Sequence, residues 1–259
     1  MPEQMFRSIA TSSKEAVFSI VLSKPPLNII DIGMIEEICA ALRQADADPN
    51  LQVIVFRGAG PKGFSAGVSV QDHTPERVGE LIPKFDDIFR LLVRTNKITV
   101  AAVHGFALGG GFELAAMCDL VVATENAQFG QPEIKLGQLA PVGVILLPHL
   151  IGYRKAAELL FTGATIGARQ AEALGLVNQV VADDQLTAAV ETLVSQITSQ
   201  SRAILRHTKS FLRRASGLAF QQLLKESEEL FFDSIARTQD SKEGITAFLE
   251  KRAPRWSHA

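Results

Sequence analysis

One stretch constrains the chain more than any other: Val100-Ala101-Ala102-Val103-His104-Gly105-Phe106-Ala107-Leu108-Gly109-Gly110-Gly111-Phe112-Glu113. Its apolar opening reads as a buried strand, and Leu114, Ala115, Ala116 and Met117 continue it as a helix. Three consecutive glycines at the helix entrance admit backbone paths closed to other residues and let a ligand approach the chain. The first N–H groups of a helix have no partner inside it and attract negative charge. Such a turn can hold an oxyanion with a carboxylate, Glu113, beside it. Further on, Phe129-Gly130-Gln131-Pro132-Glu133 supplies a second glutamate.

Composition narrows the partners. The 259 residues are 47% hydrophobic and 21% charged, as in a globular chain with a sizeable core. A net charge of −2 offers no electrostatic case for nucleic acid or an anionic membrane. Cys39 and Cys118 are isolated thiols, neither a disulfide framework nor a metal site, which suits a reducing compartment. Met1-Pro2-Glu3-Gln4 lacks the basic start and apolar run of a signal peptide. The apolar stretch Ile98 to Met117 is interrupted by His104, Glu113 and glycines, and Val142 to Ile151 is too short to span a bilayer. The expectation is a soluble, cytoplasmic protein.

Along the chain, Val17 to Leu22 alternates like a half-buried strand and stops at Pro25-Pro26. Asp31 can cap a helix whose inner face carries Ile35, Ile38, Cys39 and Leu42, and Val53-Ile54-Val55-Phe56 reads as a buried strand. Together these make one β-α-β unit. Thr74-Pro75-Glu76 looks like a helix start, before a helix burying Val78, Leu81, Ile82, Phe85, Ile88, Phe89 and Leu92, in which Pro83 is expected to cause a kink or break. Asp119 to Ala123 returns as a strand. From Tyr153 onward the chain reads as helical apart from a strand at Val177 to Val181. The pattern alone gives an α/β class, with a core over residues 1–198 and a helical region over 199–259.

The motifs resemble the crotonase superfamily, the enoyl-CoA hydratase/isomerase group, over nearly the whole chain. They are Lys24-Pro25-Pro26-Leu27-Asn28, Phe64-Ser65-Ala66-Gly67-Val68, Ala107 to Glu113, Phe129 to Glu133, Thr162-Gly163, Ala171, Gly175-Leu176-Val177-Asn178, Glu243-Gly244 and Phe248 to Arg252. The resemblance implies a ClpP-like spiral of ββα units, with C-terminal helices mediating homotrimers and often homohexamers. It implies an acyl-CoA thioester as substrate, no cofactor beyond the CoA the substrate carries, and no metal. Two backbone N–H groups, of Val68 and Gly110, are then the oxyanion donors; removing one such donor costs roughly 3 kcal/mol in well-studied enzymes. Hydration needs a base to activate water and an acid to protonate carbon, and carboxyls in an apolar pocket can serve both. The matching residues are Glu113 for water and Glu133 for proton transfer at carbon. For CoA and substrate contact the resemblance points to Lys24, Ala66, Ser69 and Val70, and to Phe232 and Lys251, which in relatives reach a neighbouring subunit's CoA.

Departures from the family pattern carry substrate information. Ser69 stands where an aspartate is common, which leaves the local loop conformation open. Gln138-Leu139-Ala140-Pro141-Val142-Gly143-Val144-Ile145-Leu146-Leu147-Pro148 replaces a glycine-rich stretch with a more apolar and stiffer one. With Asp72-His73-Thr74 and Asp31 to Met34, it resembles hydratases of cyclohexa-1,5-diene-1-carbonyl-CoA from anaerobic aromatic degradation. In that reaction water adds at the β-carbon and the proton goes to the far end of the diene. Alternatives are hydration of linear 2-enoyl-CoA in fatty-acid β-oxidation, an isomerase using Glu133 alone, and a non-catalytic acyl-CoA binding subunit. His73 is a further candidate near the first donor, set against an ordinary packing role, and His104 reads as structural. Arg202, Arg206, Lys209 and Arg213 form a basic stripe, with Arg214 beside it. Such a stripe can bind RNA phosphates, and some relatives in the family bind RNA, but a solvated face or one paired with acids across a subunit contact is the commoner use, so no nucleic-acid partner is expected. The glycine spacing at 105–111 does not fit a dinucleotide-binding fingerprint.

Overall fold

The computed structural model describes residues 6–74, 76–217 and 219–257. Strands β1 (Ile9–Lys14) and β2 (Val17–Leu22) form an antiparallel hairpin in which Ile9 faces Leu22 and Lys14 faces Val17. The β2 alternation turns Phe18, Ile20 and Leu22 inward. Helix α1 (Ile32–Ala47) begins at Asp31, whose Oδ1 accepts the Met34 N–H at 3.0 Å, and β3 (Val53–Gly58) then lies parallel to β2. The expected opening β-α-β unit is present.

A repeating course follows: β3, a short strand β4 (Gly63–Ser65) and helix α2 (Val78–Arg94); then β5 (Ile98–Val103), β6 (Phe106–Leu108) and α3 (Gly110–Met117); then β7 (Leu120–Thr124), β8 (Gln128–Gly130), a 3-10 turn at Pro132–Leu136 and α4 (Pro141–Ile151). After α5 (Tyr153–Thr162) come β9 (Thr165–Gly167), α6 (Ala168–Ala173) and β10 (Gln179–Val181). The long strands build a sheet in the order β1-β2-β3-β5-β7-β10, and the short ones a second sheet in the order β4-β6-β8-β9. This is the ββα spiral. The large sheet is covered on both faces, by the main core with α1, α2 and α3 and by Val190 and Val194 of α7 (Leu186–Thr198) against Val53, Val55, Val100 and Val122. Burial on two faces is why β3 and β5 read as continuous apolar runs instead of alternating.

Three local expectations need correction. Pro83 does not break α2, which runs unbroken from Val78 to Arg94. It sits near the start of the helix, where the carbonyl whose N–H partner it removes, Gly79, is exposed to solvent. The helix does not start at Thr74: Pro75 lies outside the described residues, the Thr74 side chain is taken by Glu76, and the Thr74 carbonyl accepts the Arg77 and Val78 N–H groups in a turn before α2. The region from Tyr153 to residue 177 is not all helix, because β9 lies between α5 and α6 and pairs antiparallel with β8, and the strand expected from Val177 starts at Gln179.

The C-terminal helices are α8 (Arg202–Ala215), α9 (Phe220–Asp233) and α10 (Gln239–Leu249). The basic stripe of α8 is largely engaged within the chain. Lys209 is buried, with Nζ 2.6 Å from Asp119 Oδ2, and Arg213 donates to the Leu92 and Val93 carbonyls at the end of α2. Arg202 donates to the Pro49 carbonyl at 2.6 Å. Helix α9 packs on α2 and α4, and α10 packs on the Pro132–Leu136 turn. That last contact is backbone on backbone: a Cβ on Gly244 would stand 2.0 Å from the Leu136 carbonyl oxygen. The Glu243-Gly244 pair picked out in the sequence therefore marks where the C-terminal helix seats against the turn that carries Glu133.

Candidate active site

The first turn of the site is held from the N-terminal side. Asn28, fully buried, donates its amide to the Ala59, Gly63 and Phe64 carbonyls and accepts the Lys24 N–H. Ser65 Oγ donates to the Asn28 carbonyl and accepts the Gly67 N–H at 3.1 Å. Ile30 then pairs beside Val68 in a single β-bridge, its N–H to the Gly67 carbonyl and its carbonyl from the Ser69 N–H. This register turns the Val68 N–H to the opposite side. Ser69 is not left loose by the absence of an aspartate, since its carbonyl accepts from both the Asp72 N–H and His73 Nδ1, the latter at 2.8 Å.

The second turn meets the first. Gly109 has φ +52° and ψ −132°, a conformation a side chain strongly disfavours, and its N–H is bonded to the Gly130 carbonyl. Gly110 then opens α3, and a Cβ there would stand 2.5 Å from Val68 Cγ2 and 2.6 Å from Phe85 Cζ. The two turns are thus in contact. Among the described residues neither the Val68 nor the Gly110 N–H has an acceptor in the protein.

The two glutamates enter the same cavity, of about 870 Å³, lined also by Ala66, Ser69, Val70 and His73. Glu113 is 2% exposed, and its Oε1 accepts the Gly143 N–H at 2.8 Å from the first turn of α4. Burial pushes its carboxyl up to about 7, against the opposing pull of the Gly143 and Val142 N–H groups. Pro141 at the start of α4 fits this arrangement, since proline gives up an N–H that the helix end leaves unpaired anyway. Glu133, on the 3-10 turn, is held well above the ordinary carboxylate range by burial and then by the charge of Glu113. Its Oε1 rests against Gly109, where a Cβ would stand 2.7 Å away.

Gln131 was given no role in the sequence, yet it is 1% exposed and, with its amide nitrogen turned toward Glu133, donates to Oε1 at 3.1 Å and Oε2 at 2.9 Å. The available signal was its place two residues before Glu133, on the same strand exit. His73 lines the cavity with its Nδ1 held by the Ser69 carbonyl, and burial lowers its basicity. His104 lies outside the cavity lining, with Nε2 bonded to the Gly60 carbonyl. Lys24 lines the cavity but its ammonium pairs with Asp31. Phe232 packs on Val78, Ile82 and Phe231 and, like Lys251, lies outside this chain's cavity lining; its C-terminal wall comes from Phe231, Phe248, Leu249 and Arg252.

A family model described as enoyl-CoA hydratase/isomerase matches residues 12–259. The chain belongs to the enoyl-CoA hydratase/isomerase family. It is 37% identical over 259 residues to a probable enoyl-CoA hydratase of Mycobacterium leprae, covering 98% of this chain and 99% of that one. It is 33% identical to the cyclohexa-1,5-dienecarbonyl-CoA hydratase of Thauera aromatica, covering 92% and 91%. Among solved structures, an enoyl-CoA hydratase of Mycobacterium avium subsp. paratuberculosis superposes with a TM-score of 0.88 at 27% identity, covering 98% of this chain and 100% of that one. As an enoyl-CoA hydratase/isomerase family member, the chain is an enzyme of the carbon–oxygen lyase type.

Proposed function

We propose that this enzyme adds water across the double bond of an α,β-unsaturated acyl-CoA, with a cyclic dienoyl-CoA of the cyclohexa-1,5-diene-1-carbonyl type as its substrate. The observation that carries the reading is that two acceptor-free N–H groups and two carboxyls with raised pKa values, the buried Glu113 and the half-buried Glu133, line one cavity. The thioester oxygen binds between the N–H groups of Val68 and Gly110, which stabilise the enolate as charge moves onto it. Glu113, whose carboxylate form is favoured by the Gly143 and Val142 N–H groups, orients and deprotonates water for attack at the β-carbon. Glu133, steadied by Gln131, transfers the proton to carbon. For the cyclic substrate that carbon is the far end of the diene.

The ring reading is supported by the apolar lining from Leu81, Ile82, Phe85, Leu139 and Pro141, and by the similarity to the Thauera aromatica enzyme. A linear 2-enoyl-CoA is the rival, supported by 34% identity over 253 residues to a crotonyl-CoA hydratase of Syntrophomonas wolfei. CoA is carried by the substrate; of the cations in the cavity lining, Lys24 pairs with Asp31 and Arg252 with Glu243 and Glu250, which leaves Lys135 as the one without a carboxylate partner among the described residues to meet its phosphates. Ala66, Ser69 and Val70 contact the substrate; Phe232 and Lys251 serve a neighbouring copy's CoA. A homotrimer or homohexamer of a cytoplasmic enzyme, without a separate cofactor, completes the reading. Exposed Tyr153, Phe161, Phe211 and Leu212 supply apolar surface for such contacts. Among the described residues no helix is long and apolar enough to cross a membrane.

The test is turnover of crotonyl-CoA beside cyclohexa-1,5-diene-1-carbonyl-CoA, with Glu113→Gln and Glu133→Gln in parallel. The reading expects preference for the cyclic thioester and loss of activity in both variants. Preference for crotonyl-CoA overturns the ring assignment, and a Glu113→Gln enzyme that only shifts double bonds favours an isomerase.

A further inference from the structure

Asp86, on α2, is the most unusual side chain outside the reacting groups. It is fully buried, and no N–H or O–H group of the other described residues donates to either of its carboxyl oxygens. An isolated buried carboxylate is too costly to persist, so such a group keeps its proton or finds a counter-charge. What faces it is a second carboxyl, Glu228 of α9, whose Oε1 lies 2.5 Å from Arg90 Nη2. Burial, and then the Glu228 carboxyl, push Asp86 up to about 9. The remaining charges around it are Arg90, which opposes that rise, and Glu113 from α3, which adds to it. Asp87 turns to Arg90 Nη1 at 3.0 Å, and from α1 Glu36 is engaged by Lys84 while Cys39 is a buried thiol.

The location gives this pair a consequence. Asp86 adjoins Phe85 and lies one turn after Ile82, and both line the cavity. Glu228 lies one turn before Phe231, which lines it from α9. The carboxyl contact therefore joins the two helices at the level where they form the cavity wall. We propose that Asp86 is a positioning residue of the acyl wall: its O–H donates to the Glu228 carboxylate, itself held by Arg90, and this chain of hydrogen bonds clamps α9 onto α2 with Phe231 in place. Asp86 touches no reacting atom. The kinetic part of the inference rests on reading this cavity as the acyl site, while the protonation part does not.

Asp86→Asn keeps a donor for Glu228 and Asp86→Ala removes it. The expected result is a KM for the better enoyl-CoA raised about tenfold in Asp86→Ala with kcat little changed, and near-normal KM in Asp86→Asn, as for loss of uniform binding. The second readout is thermal stability against pH. Folded Asp86 keeps a proton that the unfolded chain releases near the ordinary carboxylate pKa, so wild-type stability is lost progressively as pH rises toward about 9. Asp86→Asn cannot lose it. Its advantage over wild type should therefore grow between about pH 5 and 9. A flat difference overturns the shared proton even if Asp86→Ala fails to fold. Equal KM values in Asp86→Ala and Asp86→Asn overturn the clamp. Absence of hydratase turnover in the wild type overturns the proposed function and leaves the stability curve to decide the proton.

Discussion

Replacing Gly109 by alanine should damage catalysis through Glu133, and the structure sets the size. At φ +52° and ψ −132° a side chain strains the backbone, a penalty of about 1–3 kcal/mol for such sparsely populated regions. The new Cβ would stand 2.7 Å from Glu133 Oε1 and 3.5 Å from its Cδ. Restoring ordinary contact requires the carboxyl to retreat by roughly 0.7 Å, which also strains its paired bonds from Gln131. A displacement near 1 Å costs on the order of 10²-fold in rate, so a fall of roughly 30–100-fold in kcat/KM is expected. For a chain of this size the strain lowers Tm by about 3–10 °C. Hydration is followed by loss of the conjugated thioester absorbance, and unfolding by circular dichroism. Gly79→Ala is the control: a Cβ there meets nothing within 4 Å, so kinetics should be unchanged and stability should rise by about 0.5–1 kcal/mol. A Gly109→Ala enzyme within about threefold of wild-type kcat/KM would refute the claim that Glu133 is packed to a single useful position.

Glu113→Gln should reduce hydration by about 10²–10⁴-fold yet stabilise the fold as pH rises. The folded carboxyl keeps its proton up to about 7, whereas the unfolded one releases it near 4.5. Wild-type stability is therefore lost between those values, and the variant's advantage should grow across that window toward something on the order of 3 kcal/mol. Calorimetry at several pH values checks this, and a constant difference would contradict it. Gln131→Leu removes both donors to Glu133 and should lower kcat by about 10–100-fold with KM nearly unchanged, as read from steady-state kinetics. Lys209→Met removes the buried ammonium from Asp119, which is partly exposed and keeps Arg213 and Thr99, so denaturant unfolding should show a loss of about 1–3 kcal/mol. Because Lys209 lies outside the cavity lining, kcat should be preserved.

Much of the site was legible because its chemistry is written in backbone. A tight turn before a helix demands glycine, so Gly109 to Gly111 and Glu113 could be recognised without coordinates. Long elements were also legible: β2, α1 and β3 each carry enough residues for a period to show. The short strands were not. β4, β6, β8 and β9 span three residues each, fewer than any periodicity can register, and they exist because neighbouring turns of the spiral pair with one another. β1 reads as polar because all its residues after Ile9 are exposed or half-exposed.

The sequence by itself determined the α/β class and the two turns with their glutamates, which depend on residues close along the chain, and its motifs carried the resemblance to the family from which the spiral was expected. Only the tertiary structure decided how those pieces act on one another. It made the α8 stripe largely an internal ion-pair and carbonyl-capping set, and seated α10 against the Glu133 turn through Gly244. It also set Asp86 against Glu228, 142 positions apart in the chain. Burial, charge neighbours and close approach arise between distant segments, and the pKa values of Glu113, Glu133 and Asp86 follow from that environment, not from the residues themselves.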